Sequence, residues 1–303
     1  RVFLYMRFSD IKSSFKIDTF ELAKGCPEKC HHCGNFSESN CREDMMIREL
    51  TREQIDCALE SLSHFFAPIV TTGIGSEVTR ADNFNYLADR IFQLRQGQSR
   101  MVLVTHGIHS GDPKTIESFR ESVELAVNGV LAGIFVTVDQ QRNRCRSNLE
   151  HNINSYSETL KLLRPVLACK SDARVSVSVQ GDDQYDTMDG IDSALNVFQE
   201  SLRAATLTSR EFSRLHVNLR GYCSKGRAKV FVPDDRSVVC TVIPDSDFER
   251  TIDRSYQWRG WVDFFEEDFV PQSIVVKTRK NDSTRSYDDL AEKDGWEEIE
   301  FDV

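Results

Sequence analysis

Three cysteines fall within eight residues, in Cys26-Pro27-Glu28-Lys29-Cys30-His31-His32-Cys33. Thiolates spaced this closely can converge on one metal centre, and ligands this soft select an iron–sulfur cluster or zinc over hard cations. A cubic cluster has four irons, so three cysteines leave one iron without a protein ligand. Zinc is the competing reading, with His31 or His32 as a fourth ligand, although zinc signatures usually pair two cysteines with a second pair or with histidines further on. Unliganded core thiols are the plain alternative, and Glu28 and Lys29 would make a poor core. The remaining cysteines, at 41, 57, 145, 169, 223 and 240, bring the total to nine and follow no regular spacing. That pattern reads as one metal site plus scattered reduced thiols, not a disulfide framework, and makes a reducing cytoplasm the expected compartment.

The elements around this loop alternate. Strand-like runs at Val2–Phe8 and Phe15–Leu22 lead into the cysteines. Thr51 and Gln54 then form a capping-box pattern ahead of Ile55, Leu59, Leu62 and Phe66 at helical spacing. Pro68–Val70 reads as the second core strand, followed by a stripe of Phe84, Leu87, Ala88, Ile91 and Leu94. Met101–Val104, a helix over 113–128, Ile134–Val138, a helix from about Ser155 stopped near Pro165, Val175–Val179, a helix over Ile191–Ala205, and Leu215–Leu219 complete the series. Six strands separated by helices imply parallel pairing through right-handed crossovers. Periodicity alone allows a doubly wound open sheet or a barrel that stops short of eight units. In either, ligands gather at the C-terminal ends of the strands, where the cysteine loop, Gly75, His106 and Asp139 all fall.

The chain has 303 residues, enough for one large core, with 40% hydrophobic and 28% charged residues. A net charge of −10 argues against a broad nucleic-acid-binding face. The longest apolar runs are far shorter than the ~20 residues a membrane helix needs, and no secretory signal is visible. After Phe231 the alternation lapses. Val238–Ile243 and Ile274–Val276 read as strands, and Trp258, Trp261, Phe264, Phe265 and Phe269 as packing aromatics, in a C-terminal part that could serve as a lid or cover. The acidic residues from Asp288 onward read as a solvated tail or an edge strand.

The cysteine spacing, followed by Gly34 and placed after the first core strand, resembles the signature of the radical S-adenosylmethionine (radical SAM) superfamily. His32 occupies the position where that family has an aromatic residue near the cofactor's adenine. Gly73 to Glu77 resembles its Gly-Gly-Glu stretch, with Ser76 in place of the second glycine. Thr137 and Asp139 match a segment that contacts the cofactor's ribose and carboxylate. Thr105-His106-Gly107 resembles a Thr-Asn-Gly turn of the peptide-modifying branch, and Gly226-Arg227-Ala228 a turn closing its core. The cysteine-rich C-terminal extension common in that branch is absent.

The resemblance implies an α/β fold built as a partial TIM-type (β/α)6 barrel over residues 1–230, with a small α+β extension over 231–303. It implies a [4Fe–4S] cluster on Cys26, Cys30 and Cys33, with S-adenosylmethionine held by His32, Gly75, Ser76, Glu77, Thr137 and Asp139. His106 is a candidate proton donor. The expected partners are a peptide or small-molecule substrate and an electron donor such as flavodoxin or ferredoxin. A reading of a different class keeps the metal and drops the reaction, as an electron-transfer protein or a zinc-stabilised binding protein.

Overall fold

The computed structural model describes residues 15–24, 48–72, 77–108, 111–139, 149–180, 189–221, 226–231, 237–244, 258–262, 273–280 and 297–302. Cys26, Cys30, Cys33, His32, Gly75 and Ser76 therefore lie outside the described residues, as does the run Val2–Phe8.

The six expected core strands form: β1 (Phe15–Phe20), then, after the short pair β2 (Ala23–Lys24) and β3 (Arg48–Glu49), β4 (Phe66–Thr72), β5 (Arg100–Thr105), β6 (Leu131–Asp139), β7 (Arg174–Gln180) and β8 (Leu215–Gly221). They lie in the order β1-β4-β5-β6-β7-β8, and every neighbouring pair is parallel. Space order thus follows chain order, with none of the reversal that a doubly wound sheet requires.

Helices α1 (Arg52–Leu62), α2 (Phe84–Leu94), α3 (Pro113–Val127), α4 (Leu149–Leu162), α5 (Arg164–Ala168) and α6 (Asp189–Ala205) fill the crossovers, and α7 (Ser209–Phe212) precedes β8. Along the layer α1 touches α2, α2 touches α3, α3 touches α4 and α4 touches α6. They form one layer on one face, as same-direction right-handed crossovers dictate. The strand residues turned toward that layer are buried: Met101, Leu103, Ile134, Val136, Val138, Val175, Val177 and Val179 are each at most 2% exposed. Opposite them, Val104 is 41% and Ile69 45% exposed. One face of the sheet carries the core; the other is only partly exposed, with Val102 and Ser176 buried on it at 3% and 4%.

Local chemistry explains most element ends. The Thr51–Gln54 capping box is present in both directions, with Gln54 N donating to Thr51 Oγ1 at 3.3 Å and Thr51 N to Gln54 Oε1 at 2.9 Å. Two ends differ from expectation. Phe66 opens β4 after the 3₁₀ turn Ser63–Phe65 and does not extend the α1 stripe. Pro165 does not end helical structure but sits in the first turn of α5, where its missing N–H costs nothing.

The C-terminal part is not a separate body. β10 (Ser237–Pro244) pairs parallel with β8, and β9 (Gly226–Phe231) pairs antiparallel with β10. At the far edge β11 (Trp258–Val262) pairs parallel with β1, followed by antiparallel β12 (Ser273–Lys280) and β13 (Glu297–Asp302). The expected boundary at 230 therefore cuts through β9, and Gly226-Arg227-Ala228 is strand, not turn. Among the described residues beyond 231 there is no helix, so the α+β character expected of this part is all β there. Trp258 and Trp261 lie in β11, and the acidic end forms edge strand β13. Among the described residues, no helix is long and apolar enough to cross a membrane.

Candidate functional site

All six parallel strands end on one edge, so the segments that follow β1, β4, β5 and β6 share it. The cysteine segment is rooted there. Directly after β1, β2 and β3 pair antiparallel, Ala23 with Glu49 and Lys24 with Arg48, and Leu50 N donates to Leu22 O at 3.1 Å. This clasp joins the two ends of the 25–47 segment. It is tied in turn to the segment that follows Glu77: Asp82 N donates to Glu49 Oε2 at 2.7 Å, and Asn83 Nδ2 to Leu50 O at 2.9 Å.

Burial pushes the Glu49 carboxyl above its ordinary value of 4.5, outweighing the opposing Asp82 hydrogen bond. An acid raised in the folded state binds its proton more tightly there than in the unfolded chain. Its stabilising contribution is complete below 4.5 and is lost as pH rises through the folded value. Glu49→Gln, which keeps an acceptor for Asp82 N, is expected to gain stability over the parent at pH 7 and to lose that advantage by pH 4. Urea midpoints at the two pH values measure it; an equal difference at both would reject this account.

Glu77 is the centre of the described site. Only 2% exposed, its Oε1 accepts from Thr79 N at 3.3 Å, Thr79 Oγ1 at 2.9 Å and Thr105 Oγ1 at 2.5 Å. Oε2 accepts from His106 N at 2.9 Å and lies 3.4 Å from His106 Nε2. A carboxylate offers about four lone-pair sites, so those of Glu77 are committed within the protein. Its geometric role is to bind the segment that follows β4 to the end of β5 and to fix the His106 ring, whose side chain is 21% exposed. The structure thus brings the sequence candidates Glu77 and His106 into contact.

The turn after His106 needs its glycine. Gly107 has φ +84°, and a Cβ there would stand 2.4 Å from Thr159 Oγ1 of α4. That hydroxyl accepts from Ile108 N at 3.0 Å and donates to Ser155 O at 2.8 Å, so it has little freedom to move. Gly107 N in turn donates to Thr105 Oγ1 at 3.0 Å. Gly107→Ala is expected to cost about 3 kcal/mol, from left-handed strain of about 1 kcal/mol and overpacking of about 2 kcal/mol. Thr159→Ala in the same chain should recover part of it. Chemical denaturation of the single and double variants provides the test, and a loss under about 1 kcal/mol for Gly107→Ala would contradict it.

Thr137 is half-buried on the partly exposed face of β6, opposite Ser178 of β7 in register, and its carbonyl accepts from Tyr156 Oη of α4 at 3.4 Å. Asp139 is the last residue of β6 and pairs with Gln180. Reasoning from sequence missed Thr79, Thr105 and Thr159 as the partners that fix Glu77 and Gly107. It also missed Asp18 and Glu21, buried at 8% and 2% around the end of β1. The available signal was polar residues interrupting otherwise apolar strand ends. Among the described residues no group of three or more His, Cys, Asp and Glu is arranged to hold a metal ion, and the three cysteines are not among them. The sequence matches no protein-family model and no curated protein.

Proposed function

We propose that the protein is a radical SAM enzyme whose parallel sheet curls into a partial (β/α)6 barrel. The observation carrying this is the rooting of a three-cysteine segment at the C-terminal edge of a sheet wound in one direction, the edge on which Glu77 and His106 also lie. Curling is supported by the connection from β10 to β11. Laid flat, these strands would lie seven spacings of about 4.8 Å apart, and the chain must also return about 20 Å from the end of one to the start of the other. Thirteen residues separate Pro244 from Trp258, and at about 3.4 Å per step a flat sheet would hold the connection about four-fifths extended. Curling shortens the path.

The donor set fits the group. Cys26, Cys30 and Cys33 would hold a [4Fe–4S] cluster, and their soft thiolates suit iron in that form. When bound, the cluster and S-adenosylmethionine would supply an electron and a 5′-deoxyadenosyl radical that takes hydrogen from the substrate. Gly75 and Ser76 offer backbone carbonyls to the cofactor's amino group, His32 a flat ring to its adenine, and Thr137 and Asp139 polar contacts to its ribose and carboxylate. Glu77 acts here as a positioning residue, holding the strand ends and His106, and His106 supplies a proton near the substrate. A peptide is the first substrate class, by the turn at His106, with a small metabolite second.

Anaerobic reconstitution with iron and sulfide, then reduction with dithionite in the presence of S-adenosylmethionine, should yield 5′-deoxyadenosine. A fully loaded cluster that gives none overturns the reading, as does zinc found in place of iron. A cluster spectrum unchanged by S-adenosylmethionine would favour electron transfer instead.

A further inference from the structure

Central strands of a parallel sheet are normally covered on both faces, and here the second face of β5 to β8 is only partly covered, with Val104 exposed but Val102 and Ser176 buried. Register sets its side chains in rows. Val104, Phe135, Ser176 and His216 lie across four neighbouring strands at one level, with Thr137, Ser178 and Asn218 one level nearer the C-terminal edge. One level below, Val102, Gly133 and Arg174 continue the face. Gly133 is closely packed there, since a Cβ at that position would meet Arg174 O at 2.4 Å and Phe135 Cε1 at 3.2 Å.

The face is graded in chemistry. Toward β5 it is apolar, with Val104 41% exposed and Phe135 half-buried. Toward β8 it is polar: Asn218 Nδ2 donates to Ser176 Oγ at 2.9 Å, and Arg174 and His216 are exposed. No described carboxylate is paired with Arg174, whereas nearby Arg100 is matched by Asp172 at 2.9 Å. Charged positions bound the face, Asp139 and Arg220 in register at its upper end and the Arg100–Asp172 pair at its lower end, and between them the exposed Arg174 beside an imidazole is complementary to an anion. The His216 ring agrees, since burial and then Arg174 hold its pKa below the usual histidine value. From β7, which carries Arg174, across to Val104 on β5 is two strand spacings, about 10 Å.

We propose that this face binds an amphipathic carboxylate about 10 Å long, its head beside Arg174 and His216 and its aliphatic chain running across the strands over Phe135 to Val104. The assignment rests on the barrel reading above only in taking this face as the interior that the substrate enters. It narrows the substrate to a medium-length aliphatic chain that ends in a carboxylate.

The test follows the His216 imidazole by NMR across pH in the full chain, with octanoate, octanamide or acetate added. An anion at Arg174 raises the His216 midpoint, so octanoate should raise it, while octanamide should not and acetate should do so only at far higher concentration. Arg174→Gln should weaken octanoate about tenfold or more, the loss of a charged partner. Val104→Asp should weaken it too, while leaving the acetate response in place. The proposal is overturned if octanoate leaves the midpoint unmoved, if octanamide acts equally, or if Arg174→Gln binds as the parent does. Deoxyadenosine formation does not enter this measurement, so either reading can fail while the other stands.

Discussion

Changing Cys26, Cys30 or Cys33 singly to serine is expected to abolish the cluster's visible absorption after reconstitution and to take 5′-deoxyadenosine formation to background. Each cysteine would fill one of only three protein positions on the cluster, and a serine hydroxyl is a hard, weakly acidic ligand in place of a soft thiolate. Cys57→Ser and Cys169→Ser are the controls. Both thiols are reduced and half-buried on the helix side of the molecule, Cys57 in α1 and Cys169 just after α5. Their loss should leave iron content and product unchanged. Iron analysis beside the absorption spectrum decides the matter. A Cys30→Ser protein that keeps both signals would remove the three-thiolate centre from consideration, and equal losses in the controls would point to general instability.

The second large effect belongs to Glu77. Glu77→Ala would leave the hydroxyls of Thr79 and Thr105 and the amide of His106 buried without their acceptor. Hydrogen bonds to a charged group are worth about 1.5–3 kcal/mol each, but groups sharing one carboxylate do not add. A total near 4 kcal/mol is expected, a large part of the stability of an ordinary domain. Thr105→Val removes one of these bonds and also the acceptor of Gly107 N, and should cost about 2–3 kcal/mol. Urea unfolding at pH 7 reads both, provided the slope is unchanged. A Glu77→Ala midpoint close to the parent's would mean that water or a neighbour replaces the carboxylate freely.

Much of the architecture was legible because its signals are local. The α/β alternation, the Thr51 cap and the strands over 101–104, 134–138, 175–179 and 215–219 follow from apolar spacing and capping chemistry, and each occurs within a few residues of its expected place. Errors fell where two readings share one pattern. Phe66 lies four residues beyond Leu62, so it continues a helical stripe as well as it begins a strand. Pro165 can close one helix or open the next, and only packing chooses. The site was half legible. Glu77 and His106 stood out by type and position, but the threonines that bind them are common residues that carry no periodic signal. Pairing between β1 and β11 left no trace at all, because register between strands so distant in the chain depends on the folded sheet and not on any nearby residue.

That pairing bears on how the molecule is made. Each unit from β1 to β8 can dock on the one before it as it leaves the ribosome, since space order follows chain order. The outer edge of β1 has no such partner until β11 is synthesised, about 240 residues later, a delay of roughly 12–50 s at about 5–20 residues per second. For that interval the backbone of Phe15–Phe20 is an unprotected template for another nascent strand. Slow translation or truncation before Trp258 should therefore show itself first as aggregation, and chaperone demand should be highest for chains that end short of β11.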